Sequence, residues 1–194
     1  MRSYLLFQYN KTSNRGFTLI EVLVALFILS TGILGAVAMQ ASAKKGSFDA
    51  MQRSLASAYA QNILERMKGN NAQVGANVLN GYNGNYGINP LNAPGNRCNL
   101  STSLCTPAEL ISNDLYEWEQ SLIGADSKNI NANIGGLTDV VGCINHSNSN
   151  VTIAISWEGR EETSDGATSN DEFGQNCGTA TTKRRQIVIN AFIN

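Results

Sequence analysis

Glu21 is the only charged residue between Gly16 and Met39, and it is the side chain with the most chemistry to explain. Those 24 residues would make a helix about 36 Å long, enough to cross a hydrocarbon core of about 30 Å. A carboxylate in mid-bilayer costs about 2.5–3.5 kcal/mol, so Glu21 calls for a cationic partner. Gly16 stands alone at the junction between the apolar run and a basic leader that holds Arg2, Lys11 and Arg15 and no acid. That charge bias puts the N-terminus in the cytoplasm and everything after Met39 on the exported side. The run is too long for a cleaved secretory signal, and no A-x-A-like boundary follows it.

The remaining chemistry-bearing residues lie on the exported side. The four cysteines, Cys98, Cys105, Cys143 and Cys177, form an even set and suggest disulfides in an oxidising compartment. Four cysteines allow three connectivities; pairing within local units favours Cys98–Cys105 with Cys143–Cys177. No C-x2-C spacing occurs, and the single histidine, His146, falls in an expected turn, which argues against zinc. Glu158, Glu161, Glu162 and Asp165 read as a solvated loop rather than an acid pair or a calcium site. With no G-x-S-x-G, no phosphate-binding loop and no metal spacing, neither an enzyme nor a cofactor is expected. Lys183-Arg184-Arg185 is the only basic cluster beyond the membrane run. Three of the 14 basic and none of the 15 acidic side chains precede Gly16, leaving a net charge of −4 beyond it. That balance argues against nucleic acid as a partner.

The elements that must position these residues follow from periodicity. The apolar helix is expected to continue to residue 68, with Phe48, Met51, Leu55, Tyr59, Ile63 and Met67 forming a core-facing stripe. Gly69-Asn70-Asn71 supplies the stop. Residues 69–99 hold ten Asn and six Gly and read as a long loop. Thr106-Pro107-Ala108-Glu109 carries the cap, N1 proline and capping-box Glu of a second helix. Ile111, Leu115, Trp118 and Leu122 give it an apolar stripe, and Gly124 can end it. Leu137–Ile144, Val151–Trp157 and Arg185–Ile193 read as strands, with Asn145–Asn150 as the turn between the first two.

Arg15-Gly-Phe-Thr-Leu-Ile-Glu-Val-Leu-Val-Ala-Leu26 resembles the class III leader of type IV prepilins and type II secretion pseudopilins. The resemblance implies that a prepilin peptidase cuts between Gly16 and Phe17 and N-methylates Phe17. It also implies that Glu21 pairs with the α-ammonium of a neighbouring subunit and so sets filament register. The implied fold is α+β and type IV pilin-like. A long N-terminal helix, membrane-spanning and then amphipathic, packs on a small antiparallel sheet, with a short second helix and long loops. The expected organisation is a leader at 1–16, a transmembrane and filament-core half at 17–39, an amphipathic half at 40–69 and a periplasmic globular domain at 70–194. Downstream, Cys98…Cys105 before Asp114-Leu-Tyr-Glu-Trp118, the Gly135-Gly136 run and Val151–Trp157 look most like PilV-type minor pilins. Two departures stand out. Ala38 occupies the place where major pilins carry a proline, and Leu122–Ala125 lacks the proline common after the second helix.

The function this implies is a minor pilin that starts pilus assembly in a tip or priming complex and supports adhesion and twitching. Its expected partners are the prepilin peptidase, other minor pilins, the major pilin and a tip adhesin. Its expected location is the inner membrane, then the extracellular pilus. The competing reading is a minor pseudopilin of a type II secretion system, with the same leader and the same chemistry.

Overall fold

The computed structural model describes residues 16–74, 76–99, 102, 104–129 and 132–193. Arg2, Lys11 and Arg15 lie outside the described residues. In chain order the elements are α1 (Leu19–Val74), a 3-10 helix (Ala76–Tyr82), β1 (Gly84–Tyr86), α2 (Pro107–Leu122), β2 (Lys128–Asn129), β3 (Ala132–Asn133), β4 (Val141–Ser147), β5 (Asn150–Glu158), α3 (Glu172–Gln175) and β6 (Arg184–Phe192). The chain divides into two units, one ending at Lys44 and one spanning Lys45–Asn194.

The second unit holds the core. Its four-stranded sheet has the order β1-β4-β5-β6, with every neighbouring pair antiparallel. Val151, Ile153, Ile155 and Trp157 alternate along β5 and bury one face against the domain-side half of α1 and against α2. Each large apolar side chain buried there contributes about 1.5–3 kcal/mol relative to exposure. The arrangement is α+β and type IV pilin-like: a long helix on a small antiparallel sheet, with a short second helix.

The buried face of α1 differs from the expected stripe. Gln52, Ala56, Ala60, Ile63, Leu64, Met67 and Asn70 are buried, Leu55 and Tyr59 are partly buried, and Met51 is exposed. The fully buried alanines Ala56 and Ala60 share the core with the bulky Ile63 and Met67. The helix also runs past its expected stop. Asn70 is buried and its side-chain amide nitrogen donates to the Tyr82 hydroxyl and the Pro107 carbonyl, each at 3.3 Å, so tertiary bonds hold a residue that would otherwise favour a turn.

The long Asn/Gly loop is more structured than composition indicates. It contributes the 3-10 helix and β1, and Asn83 clasps His146 at both its amide and its carbonyl. His146 is not in a turn: it is buried in β4, with Nδ1 2.7 Å from the Asn80 Oδ1. The β4–β5 turn contracts to Asn148-Ser149, because the ladder continues to Ser147↔Asn150 and Asn148 accepts a φ of 56°. In α2 the capping box of Thr106 and Glu109 forms as the sequence predicts. Trp118 donates from its indole to the Tyr59 carbonyl at 2.9 Å and meets Tyr86 edge-on at 5.6 Å. Gly142 makes room for it, since a Cβ there would lie 2.6 Å from the Trp118 ring.

Candidate processing and assembly segment

Gly16, Phe17 and Thr18 precede the first turn of α1 and are exposed, Phe17 at 89%. Thr18 is the N-cap in all but name. Its amide donates to Glu21 Oε2 at 2.9 Å, its hydroxyl donates to the same oxygen at 3.0 Å, and the Glu21 amide reaches back to the Thr18 hydroxyl at 3.4 Å. This reciprocal pattern satisfies two donors at the helix start. The carboxylate is therefore held at the mouth of the helix, on the amide of the peptide that joins Phe17 to Thr18.

Every large apolar side chain from Phe17 to Met39 is exposed. The helix contains a window with a mean hydropathy of 2.5, apolar enough to cross a membrane. An isolated surface of that kind requires lipid or other helices around it. Within it, Ser30 donates to the Phe27 carbonyl, and Thr31 is close to the carbonyls of both Phe27 and Ile28. Both hydroxyls are thus satisfied by their own backbone. A Cβ at Gly32 or Gly35 would meet no neighbouring atom, so both glycines present bare backbone for close approach.

The cysteines and the basic run lie in the second unit. Cys98 is bonded to Cys105 and Cys143 to Cys177, each with a Cα separation of 5.9 Å. The first bridge lies ahead of α2, and the second ties β4 to the segment after α3. Arg184 is 5% exposed. It grips both carboxylate oxygens of Asp165 at 2.7 and 2.8 Å, and it donates to the carbonyls of Gln175, Cys177 and Gly178. The hydrogen bond from Arg184 holds the Asp165 carboxyl below the usual carboxylate range. Asp165 thus departs from the expected solvated loop. Arg185 donates to the Glu161 carbonyl at 2.8 Å and Lys183 lies 3.9 Å from Glu158, so all three basic residues bind their own chain.

Composition and spacing gave no sign of the polar network that fixes α2. Asp114 is buried between the Arg66 guanidinium at 2.8 Å and the Tyr82 hydroxyl at 2.7 Å. Arg66 also reaches Glu117 at 3.0 Å, and Arg97 reaches the other Glu117 oxygen at 3.2 Å. Burial opposes the Glu117 charge, but the bonds from Arg66, Asn113 and Arg97 outweigh it and lower its pKa. Glu119 is fully buried and accepts the Gly87 and Leu91 amides at 2.7 and 2.5 Å. The one available signal was a carboxylate in register with the apolar stripe of α2, one residue beyond Trp118.

The family model described as the prokaryotic N-terminal methylation motif matches residues 11–37. No curated protein and no solved structure matches the chain. The matched segment contains Gly16, Phe17 and Glu21 and supports a protein of the type IV pilin or pseudopilin kind.

Proposed function

We propose that the chain is a minor pilin of a type IV pilus, made as a precursor with residues 1–16 as its leader. A prepilin peptidase cuts between Gly16 and Phe17 and methylates the new α-amine. Residues 17–39 hold the subunit in the inner membrane, N-terminus cytoplasmic, and later form filament core. Residues 40–69 and 70–194 make the exported part. The observation that carries this reading is the methylation-motif match over 11–37, set on a junction that stands exposed ahead of the helix.

The chemistry is consistent with that role. Cutting creates a cation at Phe17, and Glu21 is the one carboxylate in the apolar segment. Inside one chain Thr18 already occupies Glu21, so the ammonium of an adjacent subunit can compete for the carboxylate without leaving a bare charge behind. Subunits that pair in this way share a fixed axial register. The exported unit, pinned by two disulfides, would then sit in a tip or priming complex with other minor pilins, the major pilin and an adhesin.

N-terminal sequencing and intact mass of the cellular protein test the processing step. The expected mature chain begins with N-methyl-Phe17, and a chain that retains Gly16 refutes it. A deletion strain tests the assignment to pili: loss of surface pili and twitching is expected. Retained pili with exoproteins trapped in the periplasm would instead establish the secretion pseudopilin.

A further inference from the structure

Asn-Gly is the dipeptide most prone to spontaneous loss of its side-chain amide. The glycine nitrogen attacks the Asn side-chain carbon, and glycine brings no Cβ to block the approach. The chain has two such dipeptides, Asn80-Gly81 and Asn83-Gly84. Both asparagines are exposed, so water can reach them. Both side chains are nevertheless tied to one residue, the buried His146 of β4. Asn80 Oδ1 lies 2.7 Å from the His146 ring at Nδ1. Asn83 holds the His146 main chain, accepting from its amide at 2.5 Å and donating to its carbonyl at 3.1 Å.

Ring closure needs two freedoms. The side chain must swing back over its own main chain, and the peptide to the glycine must turn to meet it. The contacts with His146 withdraw the first freedom at both asparagines. The surrounding fold withdraws the second. The Asn80–Gly81 peptide lies in the 3-10 helix, and its carbonyl accepts the Asn83 amide at 3.2 Å. Gly84 is paired in the β1–β4 ladder, opposite Ile144.

We propose that Asn80 and Asn83 are latent self-modification sites, and that His146 keeps both unreacted, the first through its ring and the second through its main chain. The step held back needs only water. The glycine nitrogen bonds to the Asn Cγ, the Cγ–Nδ2 bond breaks, and ammonia leaves with the proton given up by that nitrogen. Water then opens the cyclic imide at either carbonyl and yields Asp or isoAsp. At position 83 the product has lost the donor that met the His146 carbonyl, so the reacted chain cannot remake both bonds. One opening of this corner of the sheet, if it lasts long enough to react, is thereby recorded irreversibly.

The test uses the purified, oxidised full chain in detergent, held in mildly alkaline buffer and sampled over days. Peptide mapping by mass spectrometry measures Asp and isoAsp at each position. The same chain, reduced and unfolded in denaturant, is the reference. Both sites should react in the reference and slow by about tenfold or more in the folded chain, where reaction waits on local opening. Nε2 of His146 has no hydrogen-bond partner among the described residues, so His146→Phe removes the Asn80 contact and leaves the main-chain clasp. Asn80 should then react about three- to tenfold faster, the opening cost of one hydrogen bond, while Asn83 keeps its wild-type rate. His146→Ser carries the same expectation where the Phe variant does not fold. An unchanged Asn80 rate overturns the role of the ring. Equal acceleration at both sites marks general loosening and overturns it as well. A folded wild-type chain that reacts at either site as fast as the unfolded reference overturns the whole proposal.

Discussion

Replacing Asp114 by Ala removes the acceptor that joins α1, the 3-10 helix and α2. Two groups lose a partner. The Tyr82 hydroxyl is fully buried, and Asn70 only donates to it, so its own proton is stranded. A buried donor left unpaired costs about 1–3 kcal/mol. Arg66 keeps Glu117, and its side chain is 29% exposed, so its loss is screened and adds only about 0.5–1 kcal/mol. The sum is about 3 kcal/mol, which for a unit of this size lowers Tm by about 6–12 °C. Thermal unfolding of the purified, oxidised full chain in detergent, followed by circular dichroism, measures it. Combining Asp114→Ala with Tyr82→Phe removes the stranded hydroxyl, so the double variant should recover about 1 kcal/mol or more of the single loss. A Tm drop below about 2 °C for Asp114→Ala, or costs that simply add, would refute the reasoning that the hydroxyl–carboxylate contact carries the energy.

Gly124 has a φ of 69°, and a Cβ there would lie 2.2 Å from the Gly135 carbonyl oxygen; Gly124→Ala should cost about 2 kcal/mol or more, read by denaturant midpoint. Burial, followed by the Asp114 bond at Tyr82 and by the Glu119 charge at Tyr86, raises both phenol pKa values, Tyr86 to about 12. Raised folded-state values mean the contribution is complete below pH 10 and lost above it. Stability should therefore fall as pH climbs from about 10 toward 12, by up to about 1.4 kcal/mol per pH unit for each phenol, and Tyr86→Phe should flatten the decline. Replacing Cys143 and Cys177 by Ser opens a loop spanning a sequence separation of 34; about 3–4 kcal/mol should be lost, against about 2.5 kcal/mol for the Cys98–Cys105 pair, and equal losses would refute the loop-length account.

Where the sequence carries a strong local signal, the elements are legible. The capping box of α2 and the alternation in β5 each satisfy their requirements within a few residues, and both stand where expected. Where a residue's state depends on a distant partner, the reading fails. Asn70 looks like a helix stop until Tyr82 and Pro107 are brought to it, and His146 looks like a turn residue until Asn80 and Asn83 enclose it. Ala56 and Ala60 carry no apolar bulk, so a stripe drawn through the large residues finds Ile63 and Met67 but misses the two alanines fully buried beside them. Lys183-Arg184-Arg185 reads only as a basic cluster because Asp165 is 19 residues away from the guanidinium it holds. The bonds between Thr18 and Glu21 need no distant partner, since the two residues stand three positions apart.

The Glu119 clamp bears on how the surface can change over time. It grips the segment after β1 solely through the amides of Gly87 and Leu91, while Ile88 is 61% exposed and Leu91 38%. A loop held by its main chain is indifferent to most of the side chains it displays. Substitutions between Ile88 and Asn96 can therefore accumulate with little effect on the fold, provided that Glu119 remains and no proline replaces Leu91. Such a mount lets the exposed face change in sequence while the buried scaffold beneath it stays fixed.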